Sequence, residues 1–99
     1  MDTKKDILDF LKQNRQYLSN NYHIDKIALF GSFVKNMQND NSDVDILIDI
    51  KDGTEDIHEL KISLNKYLSD AFGRKVDLAR EKYLKPYAKK YILKDAIYV

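Results

Sequence analysis

Apolar positions recur along the chain at helical spacing in three segments. Residues 3–19 carry one apolar stripe and are predicted to form the first helix. A second stripe follows Thr54, a candidate N-cap, and stops at Gly73, a candidate C-cap. A last helix is predicted over 81–96, where Pro86 either kinks the helix or starts its main body.

Three shorter runs are predicted to be strands. They are "IDKIALF" (24–30), "DVDILIDI" (43–50), which alternates clearly between apolar and polar positions, and "RKVDLA" (74–79). The segment "SFVKNMQ" after the first strand has room for one or two helical turns. The element order α-β-α-β-α-β-α predicts one α+β (α/β) domain over residues 1–99. In that domain a small, mixed, three-stranded sheet carries helices mainly on one face.

The second predicted strand brings carboxylates together by parity. Because strand side chains alternate between faces, Asp43 and Asp45 share the face opposite to the most apolar one. Asp77 occupies the matching position in the third strand, so three carboxylates converge if the two strands are neighbours. Mutual repulsion of such charges is relieved by a hard cation such as Mg²⁺ or Mn²⁺, which prefers oxygen ligands. The alternative is that these aspartates only solvate an exposed sheet face or cap turns.

A Gly-Ser pair, Gly31 and Ser32, stands between the first strand and the short helical segment. Glycine allows another group to approach the backbone closely, and the free N–H groups at a helix start suit phosphate. Ser32 adds a hydroxyl donor at the same place. Such a pair alone is an ordinary turn, and its weight comes from the acidic strand that follows. Together, a phosphate-binding turn and metal-binding carboxylates are what phosphoryl and nucleotidyl transfer require.

The motif "GSF", nine residues and "DVD" resembles the signature of the DNA polymerase β-like nucleotidyltransferase superfamily. The resemblance is greatest to its minimal nucleotidyltransferases, small proteins often encoded beside a HEPN-type partner. It covers nearly the whole chain, including "IALFGSF", "SDVDILID", "KVDLA" and the ending "YILKDAIYV". It implies the polymerase β-like fold, with Gly31 and Ser32 holding the triphosphate of ATP. It also implies that Asp43 and Asp45 ligate the metal, and that Asp77 is the third carboxylate, which positions a metal and helps to deprotonate the attacking hydroxyl.

The chain departs from the family pattern after the Gly-Ser pair. Many members carry Arg-Gly where this chain has Lys35 and Asn36. Lys35 keeps a positive charge for the nucleotide but lacks the bidentate fork of arginine.

The resemblance implies a function as well as a fold. Minimal members transfer AMP from ATP to a tyrosine of an all-helical HEPN toxin encoded by the adjacent gene, and so act as its antitoxin. Two alternatives stay open: a binding module that neutralises its partner by contact alone, and a nucleotidyltransferase with a small-molecule acceptor.

Composition sets outer limits on this hypothesis. The absence of cysteine excludes disulfides, zinc-thiolate sites and cysteine nucleophiles. The charged start lacks the apolar core of a signal peptide, and no apolar run has the length of a membrane span. We therefore expect a cytoplasmic protein that binds no membrane. We also expect no direct binding of nucleic acid, because 99 residues leave no room for a second recognition domain.

Histidines and tyrosines outside this motif receive less weight. We expect no catalytic role for His23 or His58. Tyr83, Tyr87 and Tyr91 recur at every fourth residue, which favours packing of a helical stripe, with a partner interface as the alternative.

Overall fold

The computed structural model describes residues 1–99 and contains four helices and four strands. The elements in chain order are α1 (Lys4–Gln13), α2 (Arg15–Tyr22), β1 (Ile24–Phe30), β2 (Val44–Ile50), α3 (Ile57–Phe72), β3 (Val76–Arg80), α4 (Pro86–Asp95) and β4 (Ile97–Tyr98). Two single 3₁₀ turns, Gly31–Phe33 and Glu81–Tyr83, follow β1 and β3.

The four strands form one mixed sheet in the order β3-β2-β1-β4. Strand β1 is antiparallel to both of its neighbours, and β2 is parallel to β3. A parallel pair needs a long crossover connection, which the 16-residue helix α3 supplies here. The second and third strands are therefore neighbours, which meets the condition for bringing Asp45 and Asp77 together.

The prediction of three strands is wrong, because the end of the chain adds a fourth. Ile97 and Tyr98 pair with Leu29 and Ala28 of β1. A two-residue strand is too short to show alternation in a sequence, so the pattern gave no sign of it.

The first predicted helix, 3–19, is divided into α1 and α2 at Asn14. The Asn14 backbone leaves the helical region, and its side-chain amide donates 2.9 Å to the Phe10 carbonyl. Asparagine favours such local bonds over helix continuation. The apolar spacing survives the break, which explains why the sequence pattern reads as continuous.

The ends of α3 test two capping predictions, and the start of α4 decides between the two roles predicted for Pro86. Thr54 is not the N-cap of α3, since Asp56 holds that position and the Thr54 hydroxyl instead donates 2.6 Å to the Lys51 carbonyl. Gly73 ends α3 in the left-handed region, as predicted. Pro86 starts α4 rather than kinking it.

One hydrophobic core lies between a single face of the sheet and helices α1, α2 and α3. The following residues belong to this core: Ile7, Leu11, Leu18, Ile27, Leu29, Val44, Ile46, Ile48, Leu64, Leu68, Phe72 and Val76. The alternate positions of β2 that were predicted to face inward are thus buried together, which leaves Asp45 and Asp49 on the opposite face. None of the helices has both the length and the apolar character that crossing a bilayer demands.

Helix α4 lies outside this core and contributes no buried side chain. Tyr83, Tyr87 and Tyr91 are 67%, 70% and 75% exposed, so the predicted packing of the tyrosine stripe is wrong. We call these three side chains the tyrosine ridge.

Candidate active site

The sheet register brings two of the three predicted carboxylates side by side. Asp45 in β2 is the cross-strand partner of Asp77 in β3. Neighbouring strands lie about 4.8 Å apart, and parity sends both side chains to the same face. Asp43 directly precedes β2 and is half-buried. On its other side, Asp45 pairs with Phe30, the residue before Gly31. Asp45 therefore stands between the Gly-Ser turn and Asp77.

The charges of these carboxylates interact. The pKa of Asp45 rises from 3.8 to about 6, mainly because burial disfavours its charged form. The nearby carboxylates of Asp77 and Asp43 raise the pKa further. Asp45 is thus the carboxylate whose pKa responds to the charges of both other acids.

Gly31 makes room for the Asp45 carboxylate. Its φ of +76° lies in the left-handed region, which glycine adopts without strain. A Cβ added at this position would stand 2.1 Å from Asp45 Oδ2 and 3.0 Å from its Cγ, far inside van der Waals contact. The glycine backbone and the carboxylate therefore touch, and any other residue at position 31 has to displace one of them.

The other predicted nucleotide contacts lie on the turn that follows. Ser32 is half-buried within the 3₁₀ turn, and its carbonyl accepts a 2.9 Å bond from the Met37 amide. The amide of Lys35 donates 3.3 Å to the Gly31 carbonyl, and the Lys35 residue is exposed. The predicted helical segment is thus a single 3₁₀ turn held by bonds to Gly31 and Ser32.

The carboxylates suit a hard cation but do not enclose one. Nowhere in the structure are three acidic or histidine side chains arranged to surround a metal ion. Asp45 and Asp77 form the best-placed pair, with Asp43 at the entry to β2. The donors are all carboxylate oxygens, and the negative charges of Asp77 and Asp43 add to the burial that raises the pKa of Asp45. Both properties fit Mg²⁺ or Mn²⁺.

A groove of about 570 Å³ adjoins Asp77 and was not apparent from the sequence. Helix α3 forms one wall, with His58 and Lys61 among its lining residues, and β3 forms the other. The Asn65 amide donates 2.8 Å to the Val76 carbonyl at the edge of β3. Polar side chains recur on α3 at helical spacing, but only the crossover topology reveals that this helix face borders Asp77.

Comparison with known proteins assigns nearly the whole chain to one family. The family described as nucleotidyltransferase domain matches residues 5–99. The protein MJ1217 of Methanocaldococcus jannaschii, whose name assigns it provisionally to the protein adenylyltransferases, is 42% identical over 100% of both chains. The protein adenylyltransferase MntA of Thermococcus cleftensis is 34% identical over 100% of this chain and 98% of its own.

Solved structures share the fold. One described provisionally as a minimal nucleotidyltransferase has a TM-score of 0.74 at 25% identity, covering 98% of this chain and 95% of its own. A toxin–antitoxin structure with AMP-PNP has a TM-score of 0.66 at 23% identity, covering 96% of this chain and 70% of its own.

Proposed function

The chain belongs to the nucleotidyltransferase domain family. Because relatives that it matches over its whole length are named protein adenylyltransferases, MJ1217 provisionally and MntA without qualification, we propose that it transfers AMP from ATP to a partner toxin. The acceptor is a tyrosine hydroxyl of an all-helical, HEPN-type protein encoded by the adjacent gene, and the modification silences that protein. The chain is then the antitoxin of the pair. Two observations on other proteins support this assignment: MntA is named a protein adenylyltransferase, and the related fold occurs in a toxin–antitoxin structure with AMP-PNP.

One contact carries the proposal most directly. The Gly31 backbone touches the Asp45 carboxylate, and Asp45 in turn pairs with Asp77. The turn suited to phosphate and the acidic pair therefore meet at Asp45. In-line nucleotidyl transfer requires this proximity, since the leaving phosphates and the reacting phosphorus belong to one molecule.

The proposed reaction assigns a task to each residue. Gly31 and Ser32 bind the triphosphate through the turn, and Lys35 adds positive charge from the loop beside it. Asp43 and Asp45 would hold Mg²⁺ or Mn²⁺, with Asp77 contributing the third carboxylate. When bound, the cation neutralises charge that develops on the phosphate oxygens.

Bond changes follow from this arrangement. The acceptor oxygen attacks the α-phosphorus, the bond to the β-phosphate oxygen breaks, and pyrophosphate leaves. Asp77 accepts the proton of the attacking hydroxyl. Its exposure and the adjoining groove give an incoming side chain access to this carboxylate.

The tyrosine ridge supports a protein partner. Tyr83 in the 3₁₀ turn before α4, and Tyr87 and Tyr91 in α4, are large exposed side chains. Tyrosine is enriched at the energetic centres of protein interfaces. Exposed Lys82 and Lys85 lie beside them, which favours a partner face that is acidic and apolar. The ridge also keeps the contact-only alternative open, because such a surface binds a partner whether or not AMP is transferred.

The experiment combines the chain, ATP, Mg²⁺ and the purified product of the adjacent gene. Mass spectrometry of the partner should find an AMP adduct on a tyrosine, and fragmentation identifies the residue. Omission of Mg²⁺, with EDTA added, should abolish the adduct. An unmodified partner that is nevertheless inhibited by the chain would support the contact-only function instead.

A further inference from the structure

Arg74 is a buried cation just beyond α3. It follows the C-cap Gly73, and its side chain is only 8% exposed. Its charged partner, Asp2, is 83% exposed at an Nη2–Oδ1 distance of 2.9 Å. An ion pair with an exposed partner contributes little. The reason for burying this guanidinium must therefore lie in its other contacts.

The other donors of Arg74 bind main-chain carbonyls. Its Nη1 donates 2.8 Å to Asn39 and 3.1 Å to Ser42, and its Nε donates 3.0 Å to Met1. Asn39 and Ser42 are the two ends of one turn, closed by the Ser42 amide to the Asn39 carbonyl at 3.1 Å. Asp43 comes directly after this turn. Nη1 thus fixes the point at which the chain enters β2.

The guanidinium also contacts the opposite end of the same loop. It lies over the Phe33 ring, with 5.1 Å from Cζ to the ring centroid. Phe33 is fully buried and directly follows Ser32. Next to Arg74, the Lys75 carbonyl accepts a 2.9 Å bond from the Val44 amide.

Apart from a 3.5 Å bond from Gln38 Nε2 to the Asp2 carbonyl, the other hydrogen bonds of the loop between these ends are short-range, such as the Asn39 amide to Ser42 Oγ at 2.9 Å. The following loop residues are exposed: Lys35, Asn36, Met37, Asn39, Asp40 and Asn41. Few buried contacts make such a segment prone to local opening. Arg74 is the side chain that contacts both the residue after Ser32 and the residue before Asp43.

We infer that Arg74 is a positioning residue for nucleotidyl transfer, which sets the placement of the Gly31–Ser32 turn relative to Asp43 and Asp45. This inference rests on the proposed function of that site. The guanidinium does not bind ATP itself, because its nitrogens already donate to protein oxygens and one of its faces lies over the Phe33 ring. Arginine suits the task, since a planar fork of five donors grips several fixed carbonyls at once and a lysine ammonium does not.

Three variants test the inference. Arg74→Met keeps the apolar packing on Phe33 but removes every hydrogen bond that the side chain donates. Arg74→Lys keeps the positive charge but lacks the planar guanidinium. Arg15→Met is the matched control, because Arg15 Nε also donates to a carbonyl, that of Val99 at 3.2 Å, far along the chain. Each variant is assayed at a temperature where circular dichroism shows it folded.

Two measurements on these variants address positioning. Misplacement of reacting groups by about 1 Å costs about 100-fold in rate, so Arg74→Met should lower kcat/KM for AMP transfer by about 10- to 100-fold. Amide hydrogen exchange at 39–44 should become faster in Arg74→Met. Arg74→Lys should fall between it and the wild type in both measurements, and Arg15→Met should change neither.

The inference is overturned if Arg74→Met matches Arg15→Met in both measurements, or if its activity loss equals its unfolded fraction. Should Arg74→Met not fold, Arg74→Lys decides in the same way. If the wild type transfers no AMP to the partner, the proposed function fails but the inference is still tested. Weaker binding of MgATP together with faster exchange at 39–44 in the Arg74 variants then supports it, and no change in either overturns it.

Discussion

At the scale of single residues, the site depends on a contact that involves no side chain at position 31. The missing Cβ of Gly31 is the space that Asp45 Oδ2 occupies. A sequence shows that a glycine precedes a serine, but it does not show which atom fills the place of the absent side chain. The three acids were predicted from parity, whereas this contact needs the register between β1 and β2.

Gly31→Ala should therefore cost more stability than positive φ alone explains. Gly53 provides the matched control, because its φ is +80° and an added Cβ would meet nothing within 4 Å. We expect Gly53→Ala to cost about 1 kcal/mol of unfolding free energy from backbone strain. Gly31→Ala should cost at least about 1 kcal/mol more, through displacement of Asp45. Urea denaturation measures both values.

A double-mutant cycle identifies the source of that excess. In an Asp45→Ala background, the added methyl group at position 31 no longer meets a carboxylate. Gly31→Ala should then cost much less than it does in the wild type, with a small excess over Gly53→Ala because the Cβ of residue 45 stays 3.2 Å from the added methyl group. An undiminished cost in this background would contradict a clash with Asp45.

The raised pKa of Asp45 predicts that the ionised carboxylate lowers the free energy of unfolding. An acid whose folded pKa is raised, here from 3.8 to about 6, stabilises the fold below pH 3.8, and this contribution is lost as the pH rises through about 6. Asp45→Asn should therefore raise the Tm of metal-free protein above pH 6. Partial exposure limits the gain to about 1 to 2 kcal/mol, or several degrees in Tm.

The pH dependence of Tm separates the loss of charge repulsion in Asp45→Asn from a change in stability that is the same at every pH. At pH 4 the wild-type carboxyl is largely protonated, so Asp45→Asn and the wild type should melt at similar temperatures in EDTA. Equal destabilisation by Asp45→Asn at pH 4 and pH 8 would contradict the charge-repulsion account.

At the scale of elements, α4 differs most from its prediction. Its start at Pro86 follows from local chemistry, but the fate of the tyrosines does not. The spacing predicts one helical face for the three tyrosines, but Tyr83 lies in the 3₁₀ turn before α4 and only Tyr87 and Tyr91 lie in the helix. Whether these side chains are covered depends on long-range packing, which the sequence pattern did not reveal, as it did not reveal β4.

The tyrosine ridge should contribute to partner binding and not to nucleotide binding. Changing Tyr83, Tyr87 and Tyr91 together to Ser should weaken the complex with the adjacent-gene product at least 10-fold, because exposed aromatic anchors dominate interface energetics. The affinity for MgATP should stay unchanged. Isothermal titration calorimetry measures both affinities. Met37→Ser, at a 71% exposed apolar residue of the loop, is the control and should leave the complex intact. A triple variant that binds the partner as tightly as the wild type would contradict a role for the ridge.

At the scale of the whole molecule, the local sequence pattern predicted most of the helices and strands. The contacts between site residues depend on how distant strands pair, which the pattern does not show. The β2 alternation and the Gly73 cap follow from neighbouring residues, and both are confirmed. The pairing of Asp45 with Asp77 was predicted only on condition that their strands were adjacent, and the α3 crossover meets that condition. Arg74 was missed, because nothing near it in the sequence marks its contacts with residues 35 and 32 positions earlier.

The central proposal for the whole molecule is that the Gly-Ser turn and the carboxylates form one nucleotidyl-transfer site. Asp49→Asn is the matched control for Asp45→Asn. Both residues are half-buried and lie on the same face of β2, four residues apart. Asp49 lies outside the predicted acidic cluster.

The most direct measurement compares label transfer to the adjacent-gene product from α-labelled and γ-labelled ATP. The account predicts that the wild type and Asp49→Asn transfer the α-label and not the γ-label. Asp45→Asn and Asp77→Asn should each lower the rate at least 100-fold while remaining folded. Transfer of the γ-label, or equal transfer of the α-label by Asp45→Asn and the wild type, would contradict it.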